Sequence, residues 1–164
     1  CVLVDVFPYD AVPNNQIYQK IKGIWCNGLM VIASSVTDYT YPNEEYKQMM
    51  RKTISGLVLH TAMTIIGFLF SWRSPAKWFN TVDKAIQYKK KTDFITSATG
   101  RRHYLGEIFP TDVFLPLQEI KFENLTLFAP ANPDAYLRHN YGDDYMTPPP
   151  DGKRESHFVK RLEL

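Results

Sequence analysis

The chain opens on a run of apolar, mostly β-branched residues at 2–7, which Pro8 ends. This pattern predicts a buried strand. Because side chains alternate along a strand, Leu3, Asp5 and Phe7 share one face of it.

Helical spacing of apolar residues follows the strand. The segment 16–34 is predicted to be helical from Ile17, Ile21, Ile24 and Trp25, although its two glycines weaken the case for one continuous helix. Asn43 followed by two glutamates predicts a second helix that continues through Met50.

The segment 53–72 contains no Asp, Glu, Lys or Arg and is flanked by Arg51-Lys52 and Arg73. Twenty uncharged residues are long enough to cross a bilayer. Glycine, serine, threonine and histidine dilute the segment, however, and the mean hydropathy of the chain is −0.29. The pattern favours a buried helix, or one lying at a membrane surface, over a true span.

The second half of the chain contains shorter elements. Ser74-Pro75 predicts the start of a helix that runs to about Lys91, with Trp78, Val82 and Ala85-Ile86 as its apolar stripe. Short strands are predicted at 94–96, 103–105, 117–122 and 125–128. Asn132-Pro133 predicts a last helix that Gly142 ends, and 143–164 is expected to wrap the surface.

Composition places the chain among globular proteins. Its 164 residues are 45% hydrophobic and 22% charged, which excludes disorder and fibrous repeats. We expect one domain, 1–164, of the α/β (α+β) class, with one strand followed by helices and short antiparallel strands. Two cysteines without a Cys-x-x-Cys pair support neither a disulfide scaffold nor a thiolate zinc site, so a reducing compartment is expected.

Charge is unevenly distributed, although the net charge is only +2. The segment 51–103 contains ten Lys/Arg and two Asp/Glu, whereas the segments on either side are acidic. Such a basic block suits a phosphorylated substrate, an acidic lipid surface or nucleic acid. The alternative is that its lysines, such as 89–91, form a solvated helix end.

Asp5 is the residue most suggestive of chemistry. A carboxylate within an apolar strand is costly to bury unless it is hydrogen-bonded, paired with a cation or bound to a metal. Strand carboxylates hold Mg²⁺ together with substrate phosphates. The alternative is a partly solvated strand face.

The segment 141–157 combines aromatic, acidic and basic side chains with a proline run. Aromatic faces can hold a base or a quaternary ammonium group, and Lys153 and Arg154 could meet phosphate. Composition alone favours the alternative, a C-terminal segment that only packs its aromatic side chains and Met146 onto the core. P-loop, Rossmann and serine-hydrolase motifs are missing from the sequence.

Two segments together resemble the LicD family. Val4-Asp5-Val6-Phe7-Pro8-Tyr9-Asp10 resembles its "DIFPLD" segment. The closing part resembles its C-terminal signature in Phe114-Leu115-Pro116-Leu117, Phe122-Glu123, Pro130, Tyr136-Leu137, Tyr141-Gly142-Asp143-Asp144-Tyr145-Met146, Pro148-Pro149, Lys153-Arg154 and His157. Residues 20–100 match only loosely.

The resemblance implies a nucleotidyltransferase-like fold and transfer of phosphocholine from CDP-choline to a sugar of a surface glycan, such as teichoic acid or lipopolysaccharide. Relatives similar to fukutin-related protein transfer a polyol phosphate from a CDP-linked donor instead. The family's glycine-containing turn and Asp-x-Asp strand precede the "DIFPLD" segment and have no counterpart in 1–164. We therefore expect this chain to be the C-terminal part of such an enzyme, inactive or nearly so alone.

The resemblance also implies roles for individual residues. Asp5 would be the catalytic carboxylate and would bind Mg²⁺ with two upstream acids. The other implied substrate-binding residues are Asp10, Arg101, Glu107, Tyr141, Asp143, Asp144, Tyr145, Lys153 and Arg154, of which Lys153 and Arg154 would face phosphate.

The second hypothesis is a catalytically silent, membrane-associated module that binds glycan or acts as a scaffold. In it the basic block and the 53–72 helix lie on anionic lipid. Either way we expect a cytoplasmic protein with peripheral contact to the inner face of the membrane, and nucleic acid is not among the expected partners.

Overall fold

The computed structural model describes residues 6–100, 102–148 and 150. The fold is mixed α+β, and these residues form seven helices and five strands. The helices are α1 (Gln16–Thr40), α2 (Glu44–Met50), α3 (Ile54–Phe70), α4 (Pro75–Ile86), α5 (His103–Gly106), α6 (Thr111–Phe114) and α7 (Pro133–Tyr141). The strands are β1 (Asp10–Val12), β2 (Phe94–Thr96), β3 (Ile108–Pro110), β4 (Gln118–Phe122) and β5 (Leu125–Ala129).

The chain divides into two compact units. The larger is Tyr9–Ile108, and the smaller contains the described residues that follow Ile108 together with residues 6–8. The strands β1, β2 and β3 form one sheet in that order, and β1 runs antiparallel to β2 with Asp10 opposite Thr96. The strands β4 and β5 form a separate antiparallel hairpin with Ile120 opposite Leu127.

The core of the larger unit lies around α1, against which α3 and α4 pack. The predicted stripe of α4 is confirmed, since Trp78, Val82 and Ile86 are all buried. The indole Nε1 of Trp78 donates to the carbonyl of Phe70, 3.1 Å away, so the ring also ties α4 to the end of α3.

Helix α1 is continuous, and its buried face is made mostly of small residues. Cys26, Ala33 and Val36 are at most 2% exposed. The large apolar residues whose spacing predicted the helix lie on its other side and are exposed: Ile17, Ile21, Ile24 and Trp25. Small residues on the buried face let neighbouring elements approach the helix backbone closely.

Several predicted elements are confirmed. Helix α2 begins after Asn43, whose Oδ1 accepts from the N–H groups of Glu45 and Tyr46. The predicted helix at 53–72 is α3, which the Thr53 side chain caps. The hairpin, strand β2 and the helix α7 that ends at Gly142 also form as predicted.

Other predictions differ from the structure. Helix α1 continues to Thr40, beyond the predicted 34. The described part of the predicted strand, Val6 and Phe7, is not in a strand, and β1 begins only at Asp10. Pro8 contributes no N–H to a ladder, which explains why pairing starts after it. Asp5 lies outside the described residues.

The segment predicted as a strand at 103–105 is the helical turn α5. His103 has a φ of 57°, and the N–H of Glu107 donates to its carbonyl at 3.2 Å. A three-residue apolar pattern is too short to distinguish a strand from a turn of helix.

Helix α4 ends at Ile86 rather than near Lys91. The ammonium of Lys22 on α1 donates to the carbonyls of Ala85 and Gln87, so carbonyls at the helix end are satisfied by α1 and not by further turns.

The smaller unit has an aromatic centre. Phe109 is buried and contacts the rings of Phe114, Tyr136 and His139, with centroid separations of 5.4, 5.5 and 4.5 Å. These contacts fix α7 against the segment that contains β3 and α6.

Candidate functional site

Helix α7 and the turn after it contain most of the described residues predicted to bind substrate. The helix begins at Asn132, whose Oδ1 accepts from the N–H of Ala135 at 3.0 Å. It ends at Gly142, where φ is 96° and the N–H donates to the carbonyl of Arg138 at 2.9 Å. Glycine adopts this conformation without strain, so the chain reverses sharply just before Asp143 and Asp144.

An acid–base network joins the turn to the helix. The Arg138 Nε donates to Asp134 Oδ2 at 2.7 Å, and its NH1 donates to Asp143 Oδ1 at 3.1 Å. The hydroxyl of Tyr145 donates to Asp134 Oδ1 at 2.8 Å. We call Asp134, Arg138, Asp143 and Tyr145 the Arg138 cluster.

Electrostatics follow from these bonds. Hydrogen bonds from Arg138 and then Tyr145 hold the pKa of Asp134 below its ordinary value. The hydrogen bond to Asp134 raises the pKa of Tyr145. Hydrogen bonds to Asp134 and then Asp143 raise the pKa of Arg138. Asp134 therefore stays ionised, and Arg138 protonated, over a wide pH range.

The predicted residues of the turn differ in their contacts. Asp143 is bonded to Arg138, and Tyr145 is bonded to Asp134. Tyr141 is 56% exposed. Asp144 is exposed as well, and its carboxylate has no partner among the described residues. Within the described residues, the turn thus presents to solvent the Tyr141 ring, the unpaired carboxylate of Asp144 and the Arg138–Asp143 ion pair.

Asp134 and Arg138 were not among the residues predicted from the sequence. The available signal was their spacing, because Asp and Arg four residues apart lie on the same face of a helix.

Glu107 belongs to the larger unit and is only 4% exposed. Its Oε1 accepts from the N–H of Arg102 at 3.0 Å. An added Cβ at Gly100 would lie within 2.5 Å of this carboxyl group, so the loop backbone passes directly over it. These contacts give Glu107 a role in fixing its own loop.

Asp10 begins β1 and is half-buried. Burial raises its pKa, Asp83 adds to the effect, and Lys22 opposes it. Burial likewise raises the pKa of the Cys26 thiol and that of Tyr104, whose hydroxyl is buried without a hydrogen-bond partner among the described residues.

The predicted Mg²⁺ has no matching ligand set in the part of the chain that the structure describes. The described residues contain no group of three or more His, Cys, Asp or Glu side chains that could hold a metal ion. In the Arg138 cluster, a guanidinium already occupies the place between the two carboxylates. The Mg²⁺ prediction depends on Asp5, which lies outside the described residues, as do Arg101, Lys153 and Arg154.

No protein-family model, curated protein or solved structure matches this chain.

Proposed function

We propose that this chain forms the acceptor-side and C-terminal part of a LicD-like transferase, which moves phosphocholine from CDP-choline to a sugar hydroxyl of a cell-surface glycan. The sequence support is the pair of LicD-like segments at the two ends of the chain. The structural support is the turn after α7, where the Tyr-Gly-Asp-Asp-Tyr-Met segment folds back onto the helix.

The observation that carries the proposal is the difference between two adjacent acids. Both are exposed, but Asp143 pairs with Arg138, whereas the Asp144 carboxylate has no partner among the described residues and follows the exposed ring of Tyr141 by three residues. An aromatic face and a carboxylate are the groups that bind a quaternary ammonium ion. Choline is such an ion, which favours phosphocholine over a polyol phosphate as the transferred group.

The proposed reaction is a phosphoryl-type transfer. The sugar hydroxyl oxygen forms a bond to the phosphorus that carries choline, and the bond from that phosphorus to the CMP oxygen breaks. CMP leaves with the electron pair, and the hydroxyl proton passes to a carboxylate, for which Asp5 remains the predicted residue.

The test uses the product of the complete reading frame beside the 164-residue chain. Each is incubated with CDP-choline or CDP-ribitol and a glycan acceptor, and CMP release and glycan-bound phosphorus are measured. We expect CDP-choline to be the better donor, and Asp144→Asn and Tyr141→Ala each to raise its KM by about tenfold. Asp112→Asn, an exposed acid on α6, is the matched control.

Three results would contradict the proposal. One is the lack of transfer from either donor by the product of the complete reading frame; glycan binding without transfer would favour the silent module instead. A preference for CDP-ribitol would exclude the choline assignment and favour the polyol-phosphate alternative. Equal losses in the Asp112 control and the Asp144 variant would show that the turn has no specific role.

A further inference from the structure

Helix α3 has an outward face that is mostly apolar, although Thr61 and Thr64 are also exposed. Its inward face, where Gly67 lies against the Ser35 carbonyl of α1, is a narrow stripe. Away from this stripe, six large apolar side chains are between 55% and 84% exposed: Ile54, Val58, Ile65, Phe68, Leu69 and Trp72. Phe68 borders the α1 interface, where its ring contacts Tyr39, and Trp72 follows the end of the helix and contacts Trp78. We call these six residues the α3 face.

The α3 face lacks charge, and basic residues lie at both of its ends. No ionisable acid or base other than His60 occurs from Thr53 to Trp72. Arg51 and Lys52 precede it, and Arg73 and Lys77 follow it. An apolar face bordered by cations matches the layering of an anionic membrane surface, where acyl chains lie beneath negatively charged headgroups.

The geometry favours lying on the membrane over crossing it. Within the described residues, no single helix is both long and apolar enough to span a bilayer, and the one candidate pair, α3 with α4, is bent by 96°. A 17-residue helix is about 25 Å long, which suits a helix lying in the plane of the surface. Trp72, which is 74% exposed, lies at one end, and tryptophan favours the headgroup region.

We propose that the α3 face docks this chain onto an anionic lipid surface, with Arg51, Lys52, Arg73 and Lys77 contacting headgroups. This proposal is independent of the transferase proposal. Apolar contact supplies the insertion and the cations supply the selectivity for negatively charged lipid.

Vesicle co-sedimentation tests the proposal, with the 164-residue chain and the complete reading-frame product measured in parallel. We expect both to sediment with vesicles of phosphatidylcholine mixed with phosphatidylglycerol, more weakly with phosphatidylcholine alone, and less as the NaCl concentration rises. Val58→Glu/Ile65→Glu is expected to weaken binding at least about tenfold. Leu125→Glu/Phe128→Glu, on equally exposed residues of β5, is the matched control.

Two charge-reversal variants separate the electrostatic contribution to vesicle binding from the apolar one. Lys52→Glu is expected to weaken binding to the anionic vesicles and to leave binding to phosphatidylcholine alone unchanged. Lys121→Glu on β4 changes the net charge equally and is expected to have little effect. Circular dichroism confirms that each variant is folded.

Several outcomes would overturn the proposal. Binding that is equal in the Val58/Ile65 variant and wild type would exclude the α3 face. Dimerisation in sedimentation velocity, abolished by the same variant and without vesicle binding, would show that a second copy covers the face. Vesicle binding by the 164-residue chain but not by the complete product would show that another part of the protein covers it.

Discussion

Arg138 and Asp143 lie on either side of Gly142 and are joined by a 3.1 Å hydrogen bond across the turn. The same guanidinium holds Asp134 one helical turn earlier, so the last turn of α7 and the reversal after it are linked through one side chain. The conformation that presents Asp144 and Tyr141 therefore depends on Arg138.

Replacing Arg138 with Met is expected to release Asp143, while α7 stays folded and Tyr145 keeps its bond to Asp134. All four members of the Arg138 cluster are near the surface, where ion pairs contribute little to global stability, so Tm should stay close to that of wild type. NMR spectra should show increased mobility at 143–146. Arg51→Met, on the exposed end of α2, is the control and should leave these signals unchanged. An unchanged turn in the Arg138 variant would contradict this prediction.

The Arg138 cluster is expected to respond to pH at two extremes. Asp134 has a pKa below its ordinary 3.8, so its stabilising contribution is present above that value and is lost as pH falls through the lowered pKa. Tyr145 has a pKa above its ordinary 10.0, so its contribution is complete below that value and is lost as pH rises through the raised pKa.

Tyrosinate absorbance and carboxyl carbon shifts measure these two titrations. Removal of the partner should return each pKa toward its ordinary value, in Asp134→Asn for Tyr145 and in Tyr145→Phe for Asp134. The control is Tyr46→Phe, which removes a tyrosine on α2 and should leave both titrations unchanged.

Two glycines in helices are expected to respond oppositely to alanine. A Cβ at Gly67 would lie 2.4 Å from the Ser35 carbonyl oxygen and 2.6 Å from Tyr39 Cβ, so α1 and α3 would have to separate. Gly67→Ala should lower the free energy of unfolding by roughly 1–3 kcal/mol. Gly28 has no neighbour within 4 Å of that position, and Gly28→Ala should raise it by up to about 1 kcal/mol. Urea denaturation measures both, and equal effects would contradict the close approach of α1 and α3.

Glu107 is expected to matter for stability through its acceptor oxygen. Glu107→Ala leaves the Arg102 N–H without this partner and should lower the free energy of unfolding by about 1–3 kcal/mol. Glu107→Gln keeps the acceptor and should lose less. Glu119→Ala on exposed β4 is the control, with little change expected. A loss of transfer in Glu107→Gln without loss of stability would instead place this residue at the substrate.

The sequence predicted elements best where a single pattern decided them. The α4 stripe of Trp78, Val82 and Ile86 is strongly amphipathic, and Asn43 and Asn132 are good caps, so this stripe and the starts of α2 and α7 formed as expected. The burial of α1 could not be predicted in the same way. Its largest apolar side chains face outward, and its contacts depend on glycine, alanine and cysteine, which carry a weak hydrophobic signal.

The candidate site was predictable in part. The turn residues Asp143, Asp144 and Tyr145 were chosen as a group, but which acid is neutralised depends on Arg138, and that assignment requires the reversal at Gly142. Similarly, the composition around Glu107 did not reveal that its carboxyl lies beneath the Gly100 backbone.

The outward orientation of Ile17, Ile21, Ile24 and Trp25 has a thermodynamic consequence. Apolar surface that is already hydrated in the folded chain adds nothing to the heat capacity change of unfolding. The larger unit should therefore have a flatter stability curve than its number of apolar residues suggests, losing less of its stability on cooling. Its denaturant m-value should be small for the same reason.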